Sequence, residues 1–125
     1  MTGNRFRRGL APGRIRVVRA QGALGRLRGL LCRARALGPH TGLLLTPCCA
    51  VHTLGMRYSI DVAFIDAGGR VLRLARNVRP GRLVFCRGAA AVVELAVNTA
   101  DTPLRRRRRL HVALRRMRAG KLKSS

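Results

Sequence analysis

The densest group of side chains that could bind a ligand lies near the middle of the chain. His52, Thr53, Met56, Arg57 and Asp61 fall within ten residues of one another. Their imidazole, hydroxyl, guanidinium and carboxylate groups suit hydrogen bonding to an anionic or amide-bearing ligand, with Arg57 and His52 as direct contacts. The alternative is structural, because a tight loop before a buried strand needs polar side chains for its backbone N–H groups. In that case Met56 fills the core.

Glu94 is a further candidate ligand-binding residue. It is one of four acidic residues in the chain and stands inside the apolar run Val92–Leu95. Such an acid either faces solvent at an alternating strand position or is held by an arginine partner. No second carboxylate lies near it in sequence, so the pattern does not indicate an acid–base pair for catalysis.

The four cysteines (Cys32, Cys48, Cys49 and Cys86) invite a comparison with metal sites. Zinc sites usually contain pairs of cysteines separated by two residues, and adjacent cysteines do not easily point at one ion. A cysteine nucleophile would also need a substrate pocket that nothing in the sequence marks. We therefore predict no metal, no other cofactor and no catalytic residue set, with the thiols reduced as in intracellular proteins.

Arginine dominates both ends of the chain, whose formal charge is +23. Residues 1–40 hold ten Arg and no acid, and residues 102–125 hold eight Arg, two Lys and no acid. Such flanks attract polyanions, either nucleic acid or an anionic surface, although the codon bias of a GC-rich genome would produce the same composition. The candidate polyanion-contacting residues are Arg105, Arg106, Arg107, Arg108, Arg109, Arg115 and Arg116.

These candidates must be positioned by a small set of strands. Apolar alternation and turn residues predict strands over 14–20, 43–45, 60–65, 71–78, 83–86 and 91–97. In the strand 60–65 the alternation places Ile60, Val62 and Phe64 on one face and Ala63 and Ile65 on the other. Helical spacing of Leu and Ala predicts an amphipathic helix over 21–37, ended by Gly38-Pro39.

The predicted strands are joined by short turns. Asp66-Ala67-Gly68-Gly69 predicts a tight hairpin, because glycine adopts positive φ without strain. Short links of this kind favour antiparallel pairing. We therefore predict an α+β fold: a small, mostly antiparallel β-sheet or partial barrel with one main amphipathic helix.

A chain of 125 residues fits one domain with a modest core. We expect a basic disordered arm over 1–13, a compact domain over 14–101 and a basic tail over 102–125, either disordered or a short helix. The sequence contains no apolar run long enough to cross a bilayer and no hydrophobic signal-peptide segment near its start. The expected location is the cytoplasm.

Several short motifs occur in an order that resembles the bacterial domain of unknown function 192 family. They are Gly-Leu-Leu-Leu at 42–45, Pro-Cys at 47–48, Val-His-Thr-x-Gly-Met-Arg at 51–57, Ile-Asp-Val-x-Phe-Ile-Asp at 60–66, Gly-Gly-Arg-Val at 68–71, Val-Arg-Pro-Gly-Arg at 78–82 and Val-Val-Glu-Leu at 92–95. The likeness spans roughly residues 14–100. It implies a compact, β-rich fold with one main helix and implies no biochemical function.

The resemblance also has two departures. After Glu94-Leu95 the family usually continues through a glycine-containing turn to a last strand, whereas this chain reaches Pro103 and five consecutive arginines. Relatives also often carry export signals. We therefore expect a small non-enzymatic binding or accessory domain. The alternatives are non-specific binding of nucleic acid or an anionic surface through the arginine-rich flanks, and an enzyme that uses the region from His52 to Asp61.

Overall fold

The computed structural model of the chain describes residues 14–19, 40–98 and 100–124, with residues 120–124 described through their backbone alone. Within these ranges the chain forms seven strands and a C-terminal helix. The elements are β1 Arg16–Arg19, β2 Thr41–Leu45, β3 Ala50–His52, β4 Ile60–Ile65, β5 Val71–Val78, β6 Leu83–Phe85, β7 Ala91–Ala96 and α1 Pro103–Ser124. The helix predicted over 21–37 lies outside the described residues.

Five strands form an open sheet in the order β1-β2-β7-β4-β5, and β3 pairs with β6 in a separate two-stranded sheet. The β1–β2 pair is parallel and every other pair is antiparallel. The predicted α+β fold with a mostly antiparallel sheet is confirmed, and the sheets stay open. Hairpin-length links alone would place sequence neighbours side by side, yet β7 lies between β2 and β4, and β6 pairs with β3 in the second sheet.

Strand β4 is the buried centre of the domain. All six of its residues are buried, since both faces of the sheet are covered. One face, with Ile60, Val62 and Phe64, packs against Val51 of β3 and other apolar residues of that side. The other face, with Ala63 and Ile65, packs against α1. The face assignment made from alternation is confirmed.

The hairpin between β4 and β5 forms as predicted. Its turn is held by the carboxylate of Asp66, whose Oδ1 accepts the backbone N–H groups of Gly68 at 2.9 Å and Arg70 at 2.8 Å. Gly69 has a φ of 90°, a conformation that strains any residue with a Cβ atom. The turn chemistry therefore fixes where β5 starts.

The arginine-rich end forms a long helix rather than a disordered tail. Thr102 caps it through Oγ1, which accepts the N–H of Arg105 at 3.2 Å, and Pro103 occupies the first helical position. Leu110, Ala113 and Leu114 are buried against the sheet. Residues beyond 101 thus contribute to the same core as the strands. Across the described stretches, no helix combines the length and the apolar character needed to cross a membrane.

Candidate functional site

Thr53 connects the loop after β3 to the turn before β6 through hydrogen bonds. Its hydroxyl donates to the carbonyl oxygen of Arg79 at 2.7 Å and accepts the backbone N–H of Arg82 at 2.8 Å. Its own N–H donates to the carbonyl oxygen of Arg82, and its carbonyl oxygen accepts the N–H groups of Met56 and Gly81. Every polar group of this buried residue is engaged within the protein, which leaves none directed to a ligand.

The neighbours of Thr53 differ in their surroundings. Met56 is buried in the core between the two sheets, whereas Arg57 is exposed in the loop. His52 is half-buried at the end of β3, and its Nδ1 atom is buried with no hydrogen-bond partner among the described residues. His52 therefore has a buried nitrogen atom without a hydrogen-bond partner among the described residues, and Arg57 has an exposed charge.

Asp61 lies in β4 on the face covered by α1 and is fully buried. Its Oδ1 atom accepts the backbone N–H of Asn77 at 2.8 Å. Its Oδ2 atom lies 3.3 Å from Nε of Arg76 and 3.3 Å from Nη2 of Arg106. The carboxylate is thus saturated by one backbone donor and two guanidinium groups.

Arg106 connects two acids beneath α1. Its guanidinium also lies 3.9 Å from Oδ2 of Asp101, and Asp101 in turn pairs with Arg109 at 2.7 Å. Burial lowers the pKa of Arg106, and the carboxylates of Asp61 and Asp101 oppose that shift. This ion-pair network connects the start of α1 to the start of β4 and to Arg76 in β5.

Glu94 lies on the opposite face of the sheet from Asp61. In β7 it is flanked by Leu43 of β2 and Val62 of β4, both in the core between the two sheets. Its side chain is almost fully buried and Oε2 has no hydrogen-bond partner among the described residues. Burial raises the pKa of Glu94 to about 8, so the side chain is largely protonated at neutral pH.

The six candidate ligand-binding residues therefore do not share one pocket. Asp61 faces α1, whereas Met56 and Glu94 face the core on the other side of the sheet. Thr53 and Asp61 make bonds within the protein. This agrees with the structural interpretation that was the alternative to ligand binding. A catalytic arrangement that joins His52 to Asp61 finds no support in this geometry.

The candidate polyanion-contacting residues divide into two groups along α1. Arg106 and Arg109 are engaged in the network with Asp61 and Asp101, and Arg107 donates to the carbonyl oxygen of Val71 at 3.4 Å. The other four are exposed. These exposed residues are Arg105, Arg108, Arg115 and Arg116, which we call the outer arginine face.

The outer arginine face forms a stripe along α1. At 3.6 residues per turn its four side chains fall within about 100° of arc and extend over about 17 Å. The four acidic side chains of the chain are all described, and none pairs with this stripe. Asp61 and Asp101 bind other arginines, Asp66 holds its turn and Glu94 is buried on the far face. The stripe therefore carries uncompensated positive charge.

The family of the chain follows from its match to a family profile. Residues 6–110 match the domain of unknown function 192, described as an uncharacterised ACR. The chain belongs to this family. The resemblance inferred from the motifs is confirmed, and the match reaches Leu110, which packs on the sheet from α1. No established activity accompanies the family description.

Two solved structures share the fold. A protein of unknown function from Novosphingobium aromaticivorans has a TM-score of 0.58 and 22% identity, over 69% of this chain and 66% of the other. A candidate transcription regulator from Sinorhizobium meliloti has a TM-score of 0.55 and 25% identity, over 65% of this chain and 67% of the other. The chain thus spans about two thirds of each neighbour's length. A comparison with curated proteins finds no match.

The pairing of Arg76 and Arg106 with Asp61 was not predicted from the sequence, where Arg106 was only a candidate polyanion contact. Arg106 belongs to a run of five arginines that look alike in sequence. A signal was nevertheless present, because Arg106, Leu110, Ala113 and Met117 recur at the spacing of one helix face. Arg76 carries no comparable signal, since its contact with Asp61 depends on the pairing of β4 with β5.

The described cysteines are all free and lie around the start of β3 and the end of β6. Cys86 donates its backbone N–H to the carbonyl oxygen of Cys49 at 3.0 Å, which extends the β3–β6 pairing by one residue. The Cys48 thiol donates to the carbonyl oxygen of Ala50. No group of three or more His, Cys, Asp or Glu side chains suited to a metal ion occurs in the described part of the chain.

Proposed function

We propose that the protein is a nucleic-acid-binding domain that contacts the phosphate backbone through the outer arginine face of α1. The observation that carries this proposal is the absence of a carboxylate partner for these four exposed guanidinium groups. Guanidinium groups bind phosphate oxygens through paired hydrogen bonds and neutralise their charge. Such contacts read no base sequence, so the expected binding is non-specific.

The excess of positive charge favours an anionic binding partner. The chain holds 27 basic residues against four acids, and those acids serve the ion-pair network, a turn and the core. A polyanion would release condensed counterions when it meets this stripe, which favours association at low salt. The rigid helix fixes the spacing of the four charges before binding, which reduces the entropy lost on binding.

A nucleic acid fits the stripe better than an anionic membrane does. An amphipathic helix binds a membrane by inserting its apolar face among the lipids. In α1 that face, with Leu110 and Leu114, is buried against the sheet. Over residues 103–119, the exposed side chains of α1 are mostly guanidinium groups, with Leu104 and Val112 as isolated exposed apolar residues. The low aromatic content of 3% further favours backbone contacts over base stacking.

The name of one structural neighbour agrees with this proposal. The Sinorhizobium meliloti protein is described as a candidate transcription regulator, and its likeness to this chain has a TM-score of 0.55. Regulators of transcription commonly contact nucleic acid. This likeness supports the proposal without supplying any contact residue.

The test measures binding to a fluorescent DNA duplex by anisotropy over a series of salt concentrations. Four phosphate contacts predict a slope of about −3.6 for the logarithm of affinity against the logarithm of salt concentration. Replacement of Arg105, Arg108, Arg115 and Arg116 by alanine should remove most of that slope. The same variant should keep its fold, because all four side chains are exposed.

A charge-matched control distinguishes the stripe from overall charge. Alanine at Arg57, Arg79, Arg82 and Arg87 also removes four exposed positive charges, from the loops and turns that flank β3 and β6. If the proposal holds, this control retains most of the salt dependence. Equal losses in the two variants would assign the binding to net charge alone. Stronger binding to vesicles of anionic lipid than to DNA would reject the nucleic-acid proposal.

A further inference from the structure

A cavity of about 300 Å³ lies between the segment that leads into β1 and one side of α1. Its apolar lining consists of Ile15, Val112 and Ala113. Ile15 and Ala113 are buried in the core beneath α1, whereas Val112 is 40% exposed. The cavity therefore has an apolar floor that continues into the core and an opening toward solvent.

Four guanidinium-bearing residues complete the lining: Arg14, Arg108, Arg109 and Arg116. Arg109 is paired with Asp101 at 2.7 Å. Arg14, Arg108 and Arg116 are exposed, and none of the four acidic side chains of the chain pairs with them. Three charges without an internal partner thus surround one apolar pocket.

Regular backbone holds this cavity in place. Arg16 donates its N–H to the carbonyl oxygen of His40 at 2.7 Å, which anchors β1 beside β2 just after Ile15. The opposite wall is α1, which is fixed to the sheet by Leu110 and by the Arg106 network. A site built on such elements holds its geometry before a ligand arrives.

We propose that this cavity binds a small organic phosphate, with the phosphate group among Arg14, Arg108 and Arg116 and an apolar group on Ile15 and Ala113. A phosphate monoester carries up to two negative charges and three acceptor oxygens, which matches three guanidinium groups better than a carboxylate does. The volume is at the lower end of small-molecule sites, so the apolar group is a single ring or a short chain. The site shares Arg108 and Arg116 with the outer arginine face, but the proposal does not require that face to bind nucleic acid.

The first test is calorimetric titration of the full chain with three probes at fixed ionic strength: phenyl phosphate, inorganic phosphate and phenol. The proposal expects phenyl phosphate to bind at least about tenfold more tightly than either other probe, because it uses both the charges and the apolar floor. Equal affinity for phenyl phosphate and inorganic phosphate would overturn the proposal. Binding of phenol as tight as that of phenyl phosphate would also overturn it.

Competition experiments then distinguish two classes of organic phosphate, nucleotides and alkyl phosphates. Adenosine monophosphate and hexyl phosphate are each added to the complex with phenyl phosphate. Stronger displacement by the nucleotide assigns a nucleoside to the apolar floor, and stronger displacement by hexyl phosphate assigns an alkyl chain. Displacement by neither would contradict the proposal, because both carry a phosphate and an apolar group.

Variants locate the site and separate it from the outer arginine face. Arg14→Ala should weaken phenyl phosphate binding about tenfold or more and leave DNA binding within about twofold, since Arg14 is outside the stripe on α1. The double variant Arg105→Ala/Arg115→Ala should do the opposite, because neither side chain lines the cavity. Unchanged phenyl phosphate binding in Arg14→Ala rejects the cavity proposal, whatever the DNA result.

Val112→Glu offers a second, independent test. A glutamate at this position lies four residues from both Arg108 and Arg116 on the helix. Its carboxylate can therefore pair with these two arginines in place of the phosphate group. Phenyl phosphate binding should be lost in this variant and retained, within about threefold, in Val112→Gln. The partly exposed position should tolerate both changes, which thermal unfolding checks. Retained binding in Val112→Glu contradicts the proposed site.

Discussion

The carboxylate of Asp61 and the guanidinium of Arg106 form a buried ion pair between the sheet and α1, with 3.3 Å between Oδ2 and Nη2. Their side chains are 0% and 1% exposed. One partner comes from the start of β4 and the other from the first turn of a helix that starts about forty residues later. The pair therefore holds α1 against the sheet as part of the same domain.

Loss of Arg106 should strongly destabilise the fold. Arg106→Met leaves Asp61 buried with Arg76 as its remaining ion-pair partner, and removal of one member of a buried pair costs about 3–5 kcal/mol. The free energy of unfolding in urea measures this loss. Arg105→Ala, one position earlier and exposed, should change it by less than about 0.5 kcal/mol.

A double variant checks the origin of that loss. Asp61→Asn combined with Arg106→Met removes the buried carboxylate that has lost one of its two guanidinium partners, so it should recover part of the stability lost in Arg106→Met alone. A double variant less stable than the sum of the two single changes would show that the pair is not the source of the effect.

Glu94 should make stability fall as pH rises. Its pKa is raised from 4.5 to about 8 in the folded state, so between these pH values the unfolded chain releases a proton that the folded protein keeps. The contribution of Glu94 is thus fully present below about pH 4.5, decreases by up to about 1.4 kcal/mol per pH unit, and levels off above about pH 8.

Comparison with Glu94→Gln isolates this contribution from other titrating groups. Urea unfolding of both proteins at several values between pH 5 and pH 9 gives the difference in unfolding free energy. The glutamine variant should gain relative to the native chain as pH rises through that range. A difference that does not vary with pH would mean that Glu94 is not buried as described.

Thr53 should stabilise the domain through its hydroxyl. Thr53→Val keeps the shape of the side chain but leaves the N–H of Arg82 and the carbonyl oxygen of Arg79 without this partner. The expected loss is about 1–3 kcal/mol in the free energy of unfolding. Thr53→Ser retains the hydroxyl and should recover most of it, whereas equal losses in both variants would argue against the hydrogen bonds.

Leu110 and Leu104 should respond differently to truncation, although both are leucines of α1. Leu110 is fully buried against the sheet and Leu104 is 60% exposed. Leu110→Ala is therefore expected to cost about 2–5 kcal/mol, and Leu104→Ala well under 1 kcal/mol. Thermal unfolding of the two variants measures the contrast. Similar small losses would place α1 away from the core.

Much of the sheet could be predicted because its information is local. Alternation in 60–65 assigned the two faces of β4, and Asp66-Ala67-Gly68-Gly69 located the hairpin, since both patterns follow from backbone geometry. The candidate site was less predictable. Glu94 and Asp61 were both named as candidate ligand-binding residues, yet the pairing of β7 with β4 puts their side chains on opposite faces.

The sequence by itself determined the family, the α+β class, most of the strands and the large positive charge of this protein. Only the tertiary structure decided which arginines are exposed to solvent and which are engaged in ion pairs. Within Arg105–Arg109 each residue has the same chemistry and nearly the same neighbours, so local preferences cannot tell them apart. Packing of α1 on the sheet turned Arg106 toward Asp61 and left Arg105 and Arg108 in solvent, because a helix has one side for the core and one for water.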